Sequence, residues 1–162
     1  THTTNVATFR TPTLGPIGLV TKNRILFLQE LLETKRLDIS AVDGTIPIVK
    51  AYAGMQGDLL EAIAHTKVDG LVIEALGAGN LPPQALAALE KLLVQKIPVV
   101  LVSRCFNGIA EPVYDYEGGG KELEKMGIIF CNSINSQKAR LKLLIAVNYG
   151  LSGEELISFI QN

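Results

Sequence analysis

Residues 68–83 read VDGLVIEALGAGNLPP. From Val68 to Ala75 the run is nearly all apolar, which fits a strand covered on both faces rather than one with a wet side. Gly77, Gly79 and Asn80 follow at once, and Pro82-Pro83 stop the chain before the helical spacing of Leu86, Leu89 and Leu93. Strand, glycine-rich turn and helix in that order make one βα unit. A plain tight turn needs neither two glycines nor an asparagine, so either the backbone simply turns here or something outside the chain approaches Asn80.

The same pattern recurs on either side. Apolar β-type runs begin near residue 47 (PIVKAY), residue 97 (IPVVLVS) and residue 127 (GIIFCNS), each followed by a helical pattern. In the first helix Leu59, Leu60, Ile63 and Ala64 share a face, with Asp58 and Glu61 spaced as a capping box. GKELEKMG gives a short third helix. SQKARLKLLIAVNYG gives a longer one with Leu141, Leu144 and Ile145 aligned. A last helix follows Ser152, with Glu155 as capping partner, and buries Leu156, Phe159 and Ile160. Four β-then-α units in series predict an α/β fold, a doubly wound, flavodoxin- or Rossmann-like three-layer αβα sheet of about four parallel strands. Ahead of it, IGLV and RILFL joined by TKN predict a β-hairpin, and TPTLGPIG reads as a surface connector. Residues 1–46 are therefore expected to be an interdomain connector carrying the hairpin, and residues 47–162 the α/β domain.

Composition narrows the function. The chain has 162 residues, 48% hydrophobic, and a formal net charge of -1. That length buries a sizeable core without disulfides or metal. No Lys/Arg cluster forms a stripe for nucleic acid, and no apolar run is long enough to span a membrane. Cys105 and Cys131 lie far apart without CxxC or Cys/His spacing, so two reduced thiols and no metal are expected. The polar opening THTTNVATF, without methionine, reads as the middle of a longer protein. The reduced thiols and the lack of an export signal lean towards a cytoplasmic parent.

In open parallel sheets ligands meet the loops at the carboxyl ends of strands. Those loops are AYAGMQGD, EALGAGNLPP, SRCFNGIAEPVYDYEGGG and NSINSQ. Among them there is no GxSxG, P-loop or HExxH, and GAGN is not the dinucleotide GxGxxG. Ser103 and Cys105 flank Arg104 with no histidine near, and His65 sits late in a helix where solvent or the helix carbonyls can satisfy it; His2 stands in the opening stretch. The triplet Gly118–Gly120 reads as a flexible approach to a helix start, with an anion nest as the rarer alternative. Glu111, Tyr114, Asp115, Tyr116 and Glu117 crowd a long βα loop, where solvated surface competes with function.

Together these loops resemble the C-terminal half of the bacterial L-asparaginases, amidohydrolases with a threonine nucleophile. The resemblance rests on THTTNVATF followed by LGPIG, on VDGLVIEALGAGNLP, on VVLVSRC, and on GIIFCNSINSQKARLKLLIAVNYGLS, in that order over essentially the whole chain. It implies hydrolysis of L-asparagine to L-aspartate and ammonia through a threonine acyl-enzyme, with no metal or organic cofactor. The nucleophilic threonines of that family lie in a Thr-Gly-Gly-Thr-Ile loop and a Thr-Asp-Thr segment of its N-terminal domain, and neither occurs here. VDGTIPI at 42–48 is a partial echo that runs into Pro47 and reads as linker. The resemblance thus implies a missing N-terminal catalytic domain, a homodimer or tetramer, and no activity from this stretch alone.

By the same resemblance Asn80 would reach from one subunit to the site of its neighbour, with Gly77 and Gly79 letting the backbone bend and approach. Without it, Asn80 reads as a helix N-cap or turn residue. A tyrosine or glutamate from the third loop would join it; Tyr114, Tyr116 and Glu117 all compete, with a lean to Tyr116. The alternative is a stand-alone module of flavodoxin-like fold that binds a small polar ligand such as asparagine.

Overall fold

The computed structural model describes residues 3–11, 14–30, 35–132 and 134–162; His2 and Ser133 therefore lie outside the described residues. The chain divides into two compact units, Thr1–Lys35 and Arg36–Asn162. In the first, β1 (Gly18–Val20) pairs antiparallel with β2 (Ile25–Phe27), with Leu19 opposite Leu26. The Thr21 hydroxyl closes the turn by donating to the Arg24 carbonyl at 2.8 Å and accepting from the Arg24 N–H at 3.2 Å.

The second unit holds β3 (Ile48–Lys50), β4 (Leu71–Ala75), β5 (Val99–Ser103) and β6 (Ile129–Phe130), all parallel and in sequential order. Val72 sits opposite Val100, and Ile73 opposite Leu101. Between the strands lie α1 (Asp58–Ala64), a 3-10 turn at Pro83–Ala85 leading into α2 (Leu86–Val94), and α3 (Gly120–Lys125). After β6 come α4 (Ser136–Tyr149) and α5 (Gly153–Gln161).

Alternation along the strands builds two cores. Val49, Leu71, Ile73, Val99, Leu101 and Phe130 pack against α1, α2 and α3. Val72, Val100, Val102 and Ile129 face the other way, against α4 and α5. This is a three-layer αβα sandwich, as the apolar strands require. Because the strand order never reverses, the connecting helices share one face and the last two helices supply the other. Side chains fully buried in such a core contribute roughly 1.5–3 kcal/mol each.

Several helix details differ from the sequence pattern. Leu59 is 51% exposed and Leu141 is 52% exposed, while Leu60, Leu143 and Leu144 are the buried leucines of their helices. Spacing picks out a stripe, but the neighbouring sheet decides where its centre falls. Gly57, not Asp58, is the N-cap of α1, and neither it nor Ser152 of α5 caps with a side chain. Asn135 does cap α4, its Oδ1 accepting from the Lys138 N–H at 3.0 Å. Among the described residues no helix is long and apolar enough to cross a membrane.

Candidate functional site

The end of β4 turns back on itself. The Leu76 N–H donates to the Asn80 carbonyl and the Asn80 N–H to the Leu76 carbonyl, both at 2.9 Å, while Gly79 N–H also reaches the Leu76 carbonyl at 3.0 Å. Such a closed loop needs left-handed backbone, and Gly77 (φ +51°) and Gly79 (φ +115°) provide it. Gly79 also lies against the core: a Cβ there would stand 2.7 Å from the Phe130 ring and 3.2 Å from Leu101. The turn is thus seated on β5 and β6.

Asn80 is a turn residue, not a helix cap; Pro82 occupies the cap position of the 3-10 turn. Its Nδ2 reaches the Leu76 carbonyl only at 3.5 Å. Its Oδ1 is buried without a hydrogen-bond partner among the described residues. Burying an amide acceptor without a donor costs about 1–3 kcal/mol, and no hydrogen bond among the described residues offsets that cost here. Asn132, just past β6, carries a second buried acceptor of this kind. The sequence does not mark it, since nothing in CNS separates it from any loop asparagine.

The long loop after β5 returns to this turn. Glu111 N–H donates to the Ala78 carbonyl at 2.8 Å, and Leu81 N–H to the Gly118 carbonyl at 2.9 Å. Ser103 Oγ donates to the Gly77 carbonyl at 2.6 Å. Residues 77–81 are therefore held from three places on the chain. Gly118 (φ +81°) allows this approach, since a Cβ there would stand 2.2 Å from the Leu81 carbonyl oxygen. The glycine triplet is close packing rather than a flexible lead-in. As for an anion nest, the Gly118 N–H already donates to Glu122 Oε2 at 2.7 Å.

Tyr114 and Tyr116 sit on the outside of that loop with ring centroids 5.8 Å apart, and Tyr116 is 55% exposed. Asp115 pairs with Lys121 at 3.5 Å in the open, a contact worth little. Glu117 is exposed beside a groove of about 670 Å³ between α2 and α3, which Pro83, Leu86 and Met126 also line. The structure brings the backbones of the two loops together; no hydrogen bond joins Asn80 to Tyr116 or Glu117 among the described residues.

Of the remaining candidates, Arg104 and His65 are internally satisfied. Arg104 Nη1 donates to the Ala51 carbonyl at 2.7 Å, tying the end of β5 to that of β3. His65 Nδ1 lies 2.7 Å from the Glu61 carbonyl. Cys105 and Cys131 are both free, and burial raises the Cys131 thiol pKa against a smaller opposing pull from Lys142. Glu74 went unremarked in the sequence, although it is the lone acid in an otherwise apolar strand. It takes Ser136 Oγ at 2.5 Å and Lys50 Nζ at 3.2 Å, joining β3, β4 and the start of α4. No three His, Cys, Asp or Glu side chains gather as metal ligands among the described residues.

Residues 45–159 match the Glutaminase/Asparaginase C-terminal domain. The chain belongs to that family. It is 46% identical over 114 residues to a probable L-asparaginase of Deinococcus radiodurans, covering 68% of this chain and 33% of that protein. An L-asparaginase of Bacillus licheniformis is 29% identical over 144 residues, covering 89% of this chain and 45% of that protein. A Glutamyl-tRNA(Gln) amidotransferase subunit of Methanobrevibacter smithii is also 29% identical, over 148 residues, covering 88% of this chain and 33% of that protein. In fold, the chain superposes with a TM-score of 0.83 on a probable cytoplasmic L-asparaginase from Campylobacter jejuni, at 24% identity, over 98% of this chain and 51% of that one. This asparaginase-family chain thus spans between a third and a half of the proteins it matches. The Asn80 turn, the loop of Tyr116 and Glu117, and the Phe130 seat all fall within the matched residues.

Proposed function

We propose that this chain is the C-terminal assembly and site-completing domain of an L-asparaginase that hydrolyses L-asparagine to L-aspartate and ammonia. Residues 1–46 act as the connector and 47–162 as the domain proper. The nucleophile belongs to an N-terminal domain, since this sequence holds neither threonine segment of the family. A hydroxyl nucleophile needs a base and oxyanion donors placed around it, and the Ser103 hydroxyl at the end of β5 instead donates to the Gly77 carbonyl. Asn80 supplies the amide, reaching the site of a neighbouring subunit in a homodimer or tetramer; Tyr116 or Glu117 contributes from the adjoining loop. Chemistry of this kind uses no cofactor. The parent works in the cytoplasm.

The observation that carries this reading is the buried, unpartnered Oδ1 of Asn80 in a turn fixed by its surroundings. An amide oriented in that way is suited to the amino group of a small zwitterion. The test is ammonia release from asparagine by the parent, by its Asn80→Ala variant and by this chain alone. We expect full activity, a loss of roughly a hundredfold or more in kcat/KM, and none, respectively. Appreciable turnover by the 162-residue chain would refute the placement of the nucleophile elsewhere.

A second reading follows from the amidotransferase subunit at 29% identity: the same domain would complete an amide-hydrolysing site whose ammonia is passed on rather than released. The higher identity to the Deinococcus protein favours the first.

A further inference from the structure

We propose that Gly118 is a positioning residue: it locks the loop that follows β5 onto the Asn80 turn and so fixes the direction in which the Asn80 amide points. This rests on the reading of Asn80 as a site-completing group. Three observations converge on Gly118. Its carbonyl takes the Leu81 N–H, the amide directly after Asn80, at 2.9 Å. Its Cα lies so close to the end of that turn that any Cβ would collide with the Leu81 carbonyl oxygen. Its own N–H is held by Glu122 Oε2 at 2.7 Å, which anchors it to α3.

The neighbours act in the same sense. Glu111 N–H holds Ala78 on the other side of Asn80, and Ser103 Oγ holds Gly77. The Asn80 side chain itself has almost nothing of its own to hold it, with one 3.5 Å hydrogen bond and an unpartnered oxygen. Its direction is therefore set by the backbone beneath it, and that backbone is set by what Gly118 admits. The loop that carries Tyr114, Tyr116 and Glu117 and the turn that carries Asn80 are in this way a single mechanical piece. Moving one moves the other.

The test compares two alanine substitutions at left-handed glycines. Gly118→Ala combines backbone strain with a collision at Leu81, whereas Gly150→Ala (φ +91°, no atom within 4 Å of its Cβ) carries the strain alone. In amide-resolved spectra of this chain, Gly118→Ala is expected to shift the Asn80 side-chain amide and to strip the Leu81 N–H of its exchange protection, while Gly150→Ala leaves both unchanged. In the full-length enzyme, Gly118→Ala should lower kcat/KM for asparagine by about tenfold to a hundredfold. Added to Asn80→Ala, it should lower it by less than the product of the two single losses, because the share that runs through Asn80 is already gone, whereas a merely structural role would give the full product. Should Gly118→Ala not fold, Glu122→Ala loosens the same anchor with all backbone bonds intact, and the same spectral shift of smaller size is expected.

Additive losses in the double variant, or unmoved Asn80 and Leu81 signals, overturn the positioning role. An Asn80→Ala enzyme with unchanged kcat/KM overturns the reading of Asn80 instead, and the mechanical coupling then stands or falls on the spectra.

Discussion

Two loops meet at the carboxyl end of the sheet, the turn Leu76–Leu81 and the strip Tyr114–Glu117, and they are held in opposite ways. In the turn nearly every backbone group is engaged: Leu76 with Asn80, Ala78 with Glu111, Leu81 with Gly118. Gly79 lies against Phe130, itself 4% exposed. In the strip the backbone is anchored through Gly119 N–H to the Tyr116 carbonyl and Lys121 N–H to the Tyr114 carbonyl, but the side chains project into solvent. One stretch gives up stability to hold a buried acceptor in place. The other presents exposed rings and carboxylates at almost no energetic stake. A preorganised group and an adaptable rim are what the proposed site, shared between two chains, would require.

The sharpest way to break the contrast is to substitute at its most crowded point. Gly79→Ala meets the Phe130 ring at 2.7 Å and strains a residue at φ +115°. Strain and overpacking together should cost about 2–4 kcal/mol of stability. Tyr116→Ala, on the open strip, should change it by no more than about 0.5 kcal/mol. Urea midpoints of this chain measure both. Equal losses would mean that the strip is as deeply committed to the fold as the turn.

A smaller effect, with the sign reversed, is expected at Asn80. Replacing it by alanine removes a desolvated acceptor that has no donor among the described residues, so this chain should gain up to about 1 kcal/mol even where the proposed parent enzyme loses activity. Tyr116→Phe should leave stability within about 0.5 kcal/mol. A destabilised Asn80→Ala chain would show that Oδ1 already has a native donor and is not held in reserve.

Much of this was legible in the sequence, though unevenly. The strands announced themselves because a sheet covered on both faces leaves few polar positions, and VVLVS or LVIEA has no alternative reading as a wet strand. Gly77 and Gly79 were legible as loop-shaping residues for a local reason, the need for left-handed backbone within a few residues of a strand end. Gly118 was not, because what it accommodates is the Leu81 carbonyl, remote in sequence and brought near only by the completed sheet. The caps misled for a related reason. Asp58 and Glu61 have capping-box spacing, but the chain enters α1 one residue earlier, at Gly57. Leu59 and Leu141 satisfy the helical period yet lie just off the stripe that meets the sheet. The empty acceptors of Asn80 and Asn132 are tertiary facts, and no pattern of residue types encodes them.

The smallest expected effect lies away from both stretches and serves as their control. Lys91 of α2 donates to Glu61 of α1 at 2.6 Å, on the exposed side of two helices that pack on the same face of the sheet. That hydrogen bond, with the Lys91 charge, lowers the Glu61 pKa below its ordinary value against a slight opposing effect of burial. A carboxylate whose folded-state pKa is depressed stabilises the fold above its unfolded value. That contribution fades as pH falls through the folded value. Midpoints of denaturation should therefore decline slightly on acidification through the carboxylate range, and Lys91→Met should flatten that slope while leaving the neutral-pH midpoint nearly unchanged. Added salt should flatten it too, because both partners are exposed and screened. Neither change should move the Asn80 and Leu81 signals, since the turn is held by residues 103, 111 and 118 and by no hydrogen bond from Lys91 or Glu61. If Lys91→Met shifted them, the turn would be set by the helical layer at large rather than by the loop locked onto it.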